Sequence, residues 1–349
     1  MQKYRKQRNY GCRIHDQYTY YGMKVLVLEN DKLRCSILLD KGAEVFEFVY
    51  KPLGIDVIWL SENGVQNPTD YLSTSVDPSA TFLDYYPGGW QEILPNGGPA
   101  TSYLGAQYGQ HGEVAHMPWD YEIIKDTAEE IAVTLSVRTK KIPFLLKRTY
   151  TLKDGSAELK IAEELENLSA TNLQYMWGHH LVFGKPFMIP GSRIGLPDGV
   201  QIVTEASDSD VAAPGRITRG KRYPWPVADS EHGSLDLSVL PEKGALSDIV
   251  YLTEFGSNGW YSLENAQINL GLKVEWDAAQ FPYLWYWQEF GATKSYPWYG
   301  RHYNIGLEPF SSYPTHGLEE AIRNGTAAEI AQNETKSFWM NLQAYHVEG

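Results

Sequence analysis

Cysteine is almost missing from this chain: Cys12 and Cys35 are the two among 349 residues. Two thiols are too few for a disulfide framework or a thiolate metal site, and they fit a reducing compartment. Positive charge is also short, 30 Lys and Arg against 43 Asp and Glu, and a net charge of −13 argues against nucleic acid or an anionic lipid surface as partner. The Lys and Arg of residues 3 to 8 form a short basic arm, expected to be solvated, and no apolar h-region follows it. No run is long enough to span a bilayer, so neither secretion nor membrane insertion is signalled and the cytoplasm is the expected location. Repeats, low-complexity tracts and linker-like composition are lacking too, and a single domain over residues 1–349 is the economical reading. Helical patterning is scarce: only Gly317 to Arg323, stopped by Asn324-Gly325, reads as a helix with Gly at its C-terminal end.

What the sequence has in quantity is strand signal and aromatic rings. Met23 to Glu29, Leu33 to Leu39, Glu44 to Tyr50 and Asp56 to Leu60 are short apolar runs separated by Asn30-Asp31 and Lys41-Gly42 turns. Tyr121 to Ile124, Ile131 to Arg138, Phe144 to Leu152 and Ala157 to Leu165 continue the pattern, with a hairpin signal at Asp154-Gly155. Ile249 to Phe255, Gly259 to Leu263, Ile268 to Trp276, Phe281 to Phe290, Tyr303 to Glu308 and Glu334 to Tyr345 complete an all-β chain of antiparallel sheets. Residues 61 to 110, rich in Pro, Gly, Ser and Asn, read as a functional loop region, and 185 to 247 as an insertion or lid. The 11 Trp and 24 Tyr favour a ligand that is flat or ring-shaped.

Four stretches concentrate polar groups that could do chemistry. They are the loop from Tyr86 to Gly98 with Trp90, Gln91, Glu92 and Asn96; His111-Gly112-Glu113 through His116 and Trp119; the run Met176 to Gly184 with its adjacent His179 and His180; and Ile305 to Ser311 around Glu308. On a strand, successive side chains point to opposite faces, so His179 and His180 cannot share a pocket. One of them can be an ordinary hydrogen-bonded core histidine. Glu308 closes an apolar strand before Pro309, which cannot extend a central ladder. A carboxylate there is either a solvated strand end or a group held in a cleft.

Taken in order, these stretches resemble the aldose 1-epimerase (galactose mutarotase-like) family, and the resemblance covers nearly the whole chain. It rests on the strands and Gly turn of Leu33 to Trp59, the Pro95-Asn96-Gly97 loop, the His111-Gly112 turn followed by Trp119, and Asn167 before the histidine strand. Gly178-His179-His180-Leu181-Val182-Phe183 stands for the family's Gly-x-His-Pro-Tyr-Phe, and Leu307-Glu308-Pro309 for its Leu-Glu-Pro. The resemblance implies a β-supersandwich and a reaction without metal or other cofactor on a small-molecule sugar, by a monomer or homodimer. Glu308 would take the proton of the C1 hydroxyl, His180 would deliver one to the ring oxygen, and His111 would hydrogen-bond near that oxygen. His179 would face away with a structural role. Substrate-binding expectations fall on Asn96, Trp177, Asp248 and Gln288. Leu181-Val182 replaces the motif's Pro-Tyr, and the family's sugar-binding Arg has no counterpart in Asn96-Gly97-Gly98-Pro99. The His111-Gly112-Glu113-Val114-Ala115 stretch also lacks the Arg of the sugar-phosphate branch, which disfavours a phosphorylated substrate.

Other readings of the same residues stay open. His111-x-Glu113-x-x-His116 could hold a metal, and two of Glu92, Glu113, Glu289 and Glu308 could serve a glycoside hydrolase. A carbohydrate-binding protein without turnover could stack sugars on Trp90, Trp119, Trp177, Trp285 and Trp287.

Overall fold

Wherever the sequence alternates apolar and polar residues, one face of a strand is buried and the other wet. Phe144–Lys153 and Glu158–Asn167 follow this rule residue by residue. Gly178–Gly184, Asp248–Thr253 and Asn304–Phe310 do not: every position is buried, so both of their faces must be covered. In the computed structural model the described residues are 8–347, apart from 72, 75, 78, 79 and 207–214. Among them the strands form two large antiparallel sheets, which establishes the all-β architecture.

The twelve-stranded sheet begins at Arg13–Tyr20, Met23–Glu29, Leu33–Leu38 and Glu44–Tyr50, with Ile55–Asp56 attached to the last. It continues through Trp90–Ile93, Gly178–Gly184, Asn304–Phe310, Tyr283–Glu289 and Asp248–Thr253, and ends at Gln201–Thr204 and Arg222–Pro224. The eight-stranded sheet runs from Arg193–Gly195 through Asn258–Asn265, Leu270–Asp277, Thr335–His346, Glu158–Asn167, Phe144–Lys153 and Glu130–Arg138 to Asp120–Asp126. One large apolar core lies between the sheets. A second, smaller cluster covers the other face of the twelve-stranded sheet, where Trp59, Phe82, Tyr86 and Ala115 pack on Ile93, Val182, Ile249, Trp285, Trp287 and Phe310. The loop-rich stretch 61 to 110 supplies part of that cover.

Most expected strands stand within two residues of their expected ends, and three differences are informative. Leu173 to Phe183 is not one strand: Leu173–Tyr175 pairs with Ala328–Ile330 in a separate ribbon. The amides of Met176 and Trp177 bond to Pro95 O at 2.8 Å and Ser311 Oγ at 2.9 Å, so the ladder restarts only at Gly178. A short helix, Ala80–Leu83, accompanies the expected one, which spans Leu318–Arg323. Finally, the strand with Glu308 does not stop there; it continues through Pro309, opposite Leu284, to Phe310. On its other side, pairing with Gly178–Gly184 is made at Gly178↔Phe310 and again from Val182↔Gly306 onward, and is open between. A proline has no N–H to give a ladder, so the two strands part at Pro309.

Of the basic arm, residues 3 to 7 lie outside the described residues. Arg8 is not solvated: its guanidinium pairs with Asp126 and bonds Cys12 O at 2.9 Å. Among the described residues no helix is long and apolar enough to cross a membrane.

The two sheets are joined by a charged cluster sealed in the core. Arg148 and Glu163, cross-strand neighbours in the eight-stranded sheet, meet Glu92 and His179 of the other. Arg148 ion-pairs with both carboxylates, donates to Tyr150 Oη at 2.9 Å, and lies 5.6 Å from the rings of Trp90 and Trp119. His179 accepts the indole N–H of Trp90 on Nδ1 at 3.1 Å, which leaves Nε2 to donate to Glu163 at 3.0 Å. Burial pushes the His179 pKa down despite Glu163, in agreement with this neutral tautomer. Replacing Arg148 by Met would strand two buried carboxylates, at a cost of about 3–5 kcal/mol. Urea unfolding should show a loss of that order, and Arg148→Met combined with Glu92→Leu and Glu163→Leu should recover much of it.

Candidate functional site

The register of the twelve-stranded sheet sets a row of side chains on the face turned away from the inter-sheet core. Gln91 stands opposite His180, Trp285 opposite Glu308, and Tyr251 opposite Trp285. His180 and Glu308 fall in the stretch where their strands part, and His180 Nε2 lies 3.7 Å from Glu308 Oε1. Gly306 makes room for that carboxylate: a Cβ there would come within 2.3 Å of Glu308 Oε1.

His111 arrives from a turn. Its backbone is left-handed (φ 61°), its amide donates to Gly98 O at 2.9 Å, and its Nδ1 accepts the Gly98 amide at 3.2 Å. A backbone amide on Nδ1 fixes the proton on Nε2, so His111 offers an N–H without needing to be protonated. Its ring is 5.3 Å from that of His180, centroid to centroid.

Burial dominates the electrostatics. Glu308 is 2% exposed and its carboxyl is pushed well above the ordinary value by desolvation alone. Desolvation brings His180 down to about 4 and His111 well below its usual range, the latter helped by the neighbouring His180 and His116. Both shifts favour the neutral form of each group, a protonated carboxyl beside an unprotonated imidazole. Moving the carboxyl proton across gives carboxylate and imidazolium, the allocation that an acid and base acting together require.

The same face is closed. Phe82, on the short helix, places its ring 4.5 Å from His111 and 5.9 Å from both His116 and His180. Tyr86 stacks on Phe82 at 5.1 Å, meets His180 at 5.3 Å, and leans on Trp59 and Trp298. An open cleft over the three residues is thus not what the structure shows. An open depression of about 430 Å³ lies elsewhere, beside Tyr18, Tyr20, Phe46, Arg34 and Glu47, and its charged groups are already paired with each other.

The structure brings Glu308, His180 and His111 together and sends the four substrate-binding expectations elsewhere. Trp177 lies in the core between the sheets, where its indole donates to Glu92. Asp248 and Gln288 face each other across their strands, out of phase with Ile249 and Trp287, which belong to the site face. Asp248 accepts the amides of Arg216 and Ile217, both at 2.8 Å, and pairs with Arg219; Gln288 accepts from Arg216. Asn96 staples its own loop, donating to Pro99 O and Gly109 O and accepting the Leu318 amide. Of the five stacking tryptophans, Trp285 and Trp287 are on the site face, Trp287 6.0 Å from His180. Trp90 and Trp119 flank Arg148 instead.

The rival constellations do not assemble. Glu113 accepts the amides of Lys140 and Lys141, and the ligand atoms of His111, Glu113 and His116 are not gathered within metal-binding reach. Among the described residues the group that is gathered, Glu92, Glu163 and His179, already encloses the Arg148 guanidinium as its cation. Glu92 is thereby engaged in the core, and Glu289 is saturated by Ser247, Thr293 and the Gly291 amide, so neither complements Glu308 as a second hydrolytic carboxylate.

Further polar groups line this face, among them Lys41, Glu44, His302 and Asn304, which no sequence motif marks. Lys41 and Glu44 form a buried ion pair, and Tyr86 Oη, Gln91 Oε1, His180 Nδ1, both ring nitrogens of His302 and both amide atoms of Asn304 have no hydrogen-bond partner. Lys41 and Glu44 bracket a Gly-Ala turn and read as ordinary turn residues; their charge on either side of two small residues was the available signal.

The model of a family described as a domain of unknown function, DUF4432, matches residues 20–344. No curated protein matches the chain. Among solved structures, a candidate aldose 1-epimerase from Klebsiella pneumoniae aligns over 96% of this chain and 83% of its own, with a TM-score of 0.74 and 17% identity. A galactose mutarotase-like protein from Clostridium acetobutylicum aligns over 97% and 99%, with a TM-score of 0.64 and 14% identity. One from Lactobacillus casei aligns over 92% and 100%, with a TM-score of 0.57 and 17% identity. At such identities the likeness is one of fold. A galactose mutarotase-like β-sandwich in architecture, the chain belongs by sequence to the DUF4432 family.

Proposed function

We propose that the protein is an aldose 1-epimerase acting on an unphosphorylated sugar. The observation that carries this reading is the approach of His180 Nε2 to Glu308 Oε1 at 3.7 Å, with the His111 ring 5.3 Å from that of His180. Opening a hemiacetal takes a proton from the C1 hydroxyl and gives one to the ring oxygen; the aldehyde then rotates about C1–C2 and closes on its other face. Glu308 as carboxylate receives the first proton, His180 as imidazolium supplies the second, and the Nε2–H of His111 steadies charge on the ring oxygen. The proton count of the pair is the same at the start and end of each turnover. Trp287 and Tyr86 supply apolar faces for a sugar ring. The lysine that reaches the site, Lys41, is neutralised by Glu44, which supports a substrate without phosphate.

Glu308→Gln keeps the shape and removes the base. Anomer exchange, followed by NMR over a panel of aldoses, should fall by about 10²–10⁴-fold. The same variant should be more stable than the parent near neutrality. Glu308 has a higher pKa folded than unfolded, so its contribution to stability is complete below the ordinary carboxylate value and is lost as pH rises through the raised one. Thermal melts should therefore show the Gln variant gaining on the parent from about pH 4 upward. Unchanged exchange in this variant would overturn the mechanism; sugar binding without exchange in the parent would make the protein a carbohydrate-binding one.

The active state carries one proton on the pair. The free-enzyme profile of kcat/KM should lose activity below about 4, where His180 takes a second proton, and again above the raised Glu308 value. A single limb near the ordinary histidine value would contradict this allocation.

A further inference from the structure

The Lys41-Gly42-Ala43-Glu44 turn places two charges where the twelve-stranded sheet has its site face. Gly42 and Ala43 both have left-handed backbone, φ 63° and 47°. A Cβ on Gly42 would come within 2.3 Å of Ala115 O, so the turn is pressed against the segment that carries His116. Lys41 and Glu44 are buried and paired with each other. Desolvation raises the Glu44 carboxyl, with Lys41 and the Gln91 side chain opposing it. Gln91, the cross-strand neighbour of His180, lies beside Glu44: a Cβ on Gly89 would sit 3.3 Å from Glu44 Oε1 and 3.4 Å from Gln91 Nε2. Tyr86 shares the lining of one small void with Lys41, Glu44 and Gln91, and its ring is 5.3 Å from that of His180.

Within this group the buried Gln91 Oε1 and Tyr86 Oη have no partner, and Glu44 Oε1 has nothing closer than the Gln91 amide nitrogen. They adjoin a void of about 10 Å³, walled by Lys41, Phe82, Tyr85, Ala115 and His116 besides their own residues. A buried ion pair kept for packing alone is a poor bargain beside an apolar pair of the same volume. Oxygens left without donors raise its cost further. A void of that size has room for no more than a water, so hydroxyls on a rigid frame reach these groups only once the Phe82 wall has moved aside.

We propose that Lys41, Glu44 and Gln91 form the hydroxyl-recognition subsite of the sugar, in place of the arginine that the Pro95-Asn96 loop lacks. Glu44 and Gln91 accept from vicinal hydroxyls, and Lys41 donates to one of them. Gln91 is one strand spacing, about 4.8 Å, from His180. A pyranose with C1 between Glu308 and His180 therefore turns its C3 and C4 hydroxyls toward this turn. This assignment rests on the mutarotase reading for the position of C1, while the recognition of a diol is independent of turnover.

The test measures binding by saturation-transfer NMR and calorimetry, together with the KM of anomer exchange, for glucose and galactose and their 2-, 3-, 4- and 6-deoxy forms. The proteins are the parent, Glu44→Gln and a Lys41→Met/Glu44→Leu pair, which keeps the turn folded by replacing both charges. Glu44→Gln should weaken the parent sugar by about ten- to a hundredfold, the loss expected for a hydrogen bond to a charged group. The 3- or 4-deoxy sugar should bind parent and variant alike. Equal weakening of every sugar, a shifted melting temperature with unchanged affinity, or a parent protein that binds none of the panel would overturn the subsite. Binding that discriminates deoxy sugars while anomers fail to exchange would overturn the catalytic reading and leave the subsite standing.

Discussion

A guanidinium enclosed between two sheets fixes most of what matters in this structure. Arg148 reaches across the core from the smaller sheet and holds Glu92 and Glu163 together, and His179 completes the cluster through Glu163 and the indole of Trp90. Because a strand can turn only one of two neighbouring side chains inward, anchoring His179 in this cluster obliges His180 to face the other way. Its cross-strand partner is governed alike, since Glu92 faces inward and Gln91 shares the outer face with His180. An unpaired charge in such a place is so costly that the register of the central strands has little freedom to slip.

The second constraint is the missing amide of Pro309. Between two strands bonded throughout, a carboxylate and an imidazole at facing positions are held at the spacing of the ladder. Here the ladder opens over Leu307–Pro309, and Glu308 bends back over Gly306 toward His180. Glycine at 306 and proline at 309 are thus two halves of one arrangement: the first clears space for the carboxylate, and the second releases the backbone beside it. His111, from a separate loop, needs only a left-handed backbone and the Gly98 amide to present its N–H from above.

Alternation within one strand is written in the sequence, which is why the opposite fates of His179 and His180 were legible, as were most strand boundaries. The relative phase of strands far apart in the chain is not. Asp248–Thr253 and Tyr283–Glu289 are buried on both faces, so no pattern of polar residues says which side Asp248 and Gln288 take. Their phase is passed along the sheet, from Asn304–Phe310 to Tyr283–Glu289 and from there to Asp248–Thr253, and it puts Asp248 and Gln288 behind the sheet, bound to Arg216 and Arg219. The reading of Pro309 as a strand end erred for a related reason. A proline was weighed against a fully bonded ladder, whereas the sheet tolerates it by opening one side. Asn96 is expected as a ligand group from the Pro95-Asn96-Gly97 resemblance, while in the structure the Pro99 and Gly109 carbonyls and the Leu318 amide are its partners.

On the proposed reading, in which a sugar lies against His111 and His180, the ring of Phe82 stands in its place. A ligand must therefore select molecules in which that ring has swung away, and in these its apolar surface faces water. Returning a phenylalanine to solvent costs about 1.5–3 kcal/mol. If nothing compensates, the receptive population is only about a tenth to a hundredth of the whole, and observed dissociation constants are weaker than intrinsic ones by the same factor. Poor apparent affinity for simple sugars would then measure how firmly the protein closes on itself rather than how well its polar groups match the ligand.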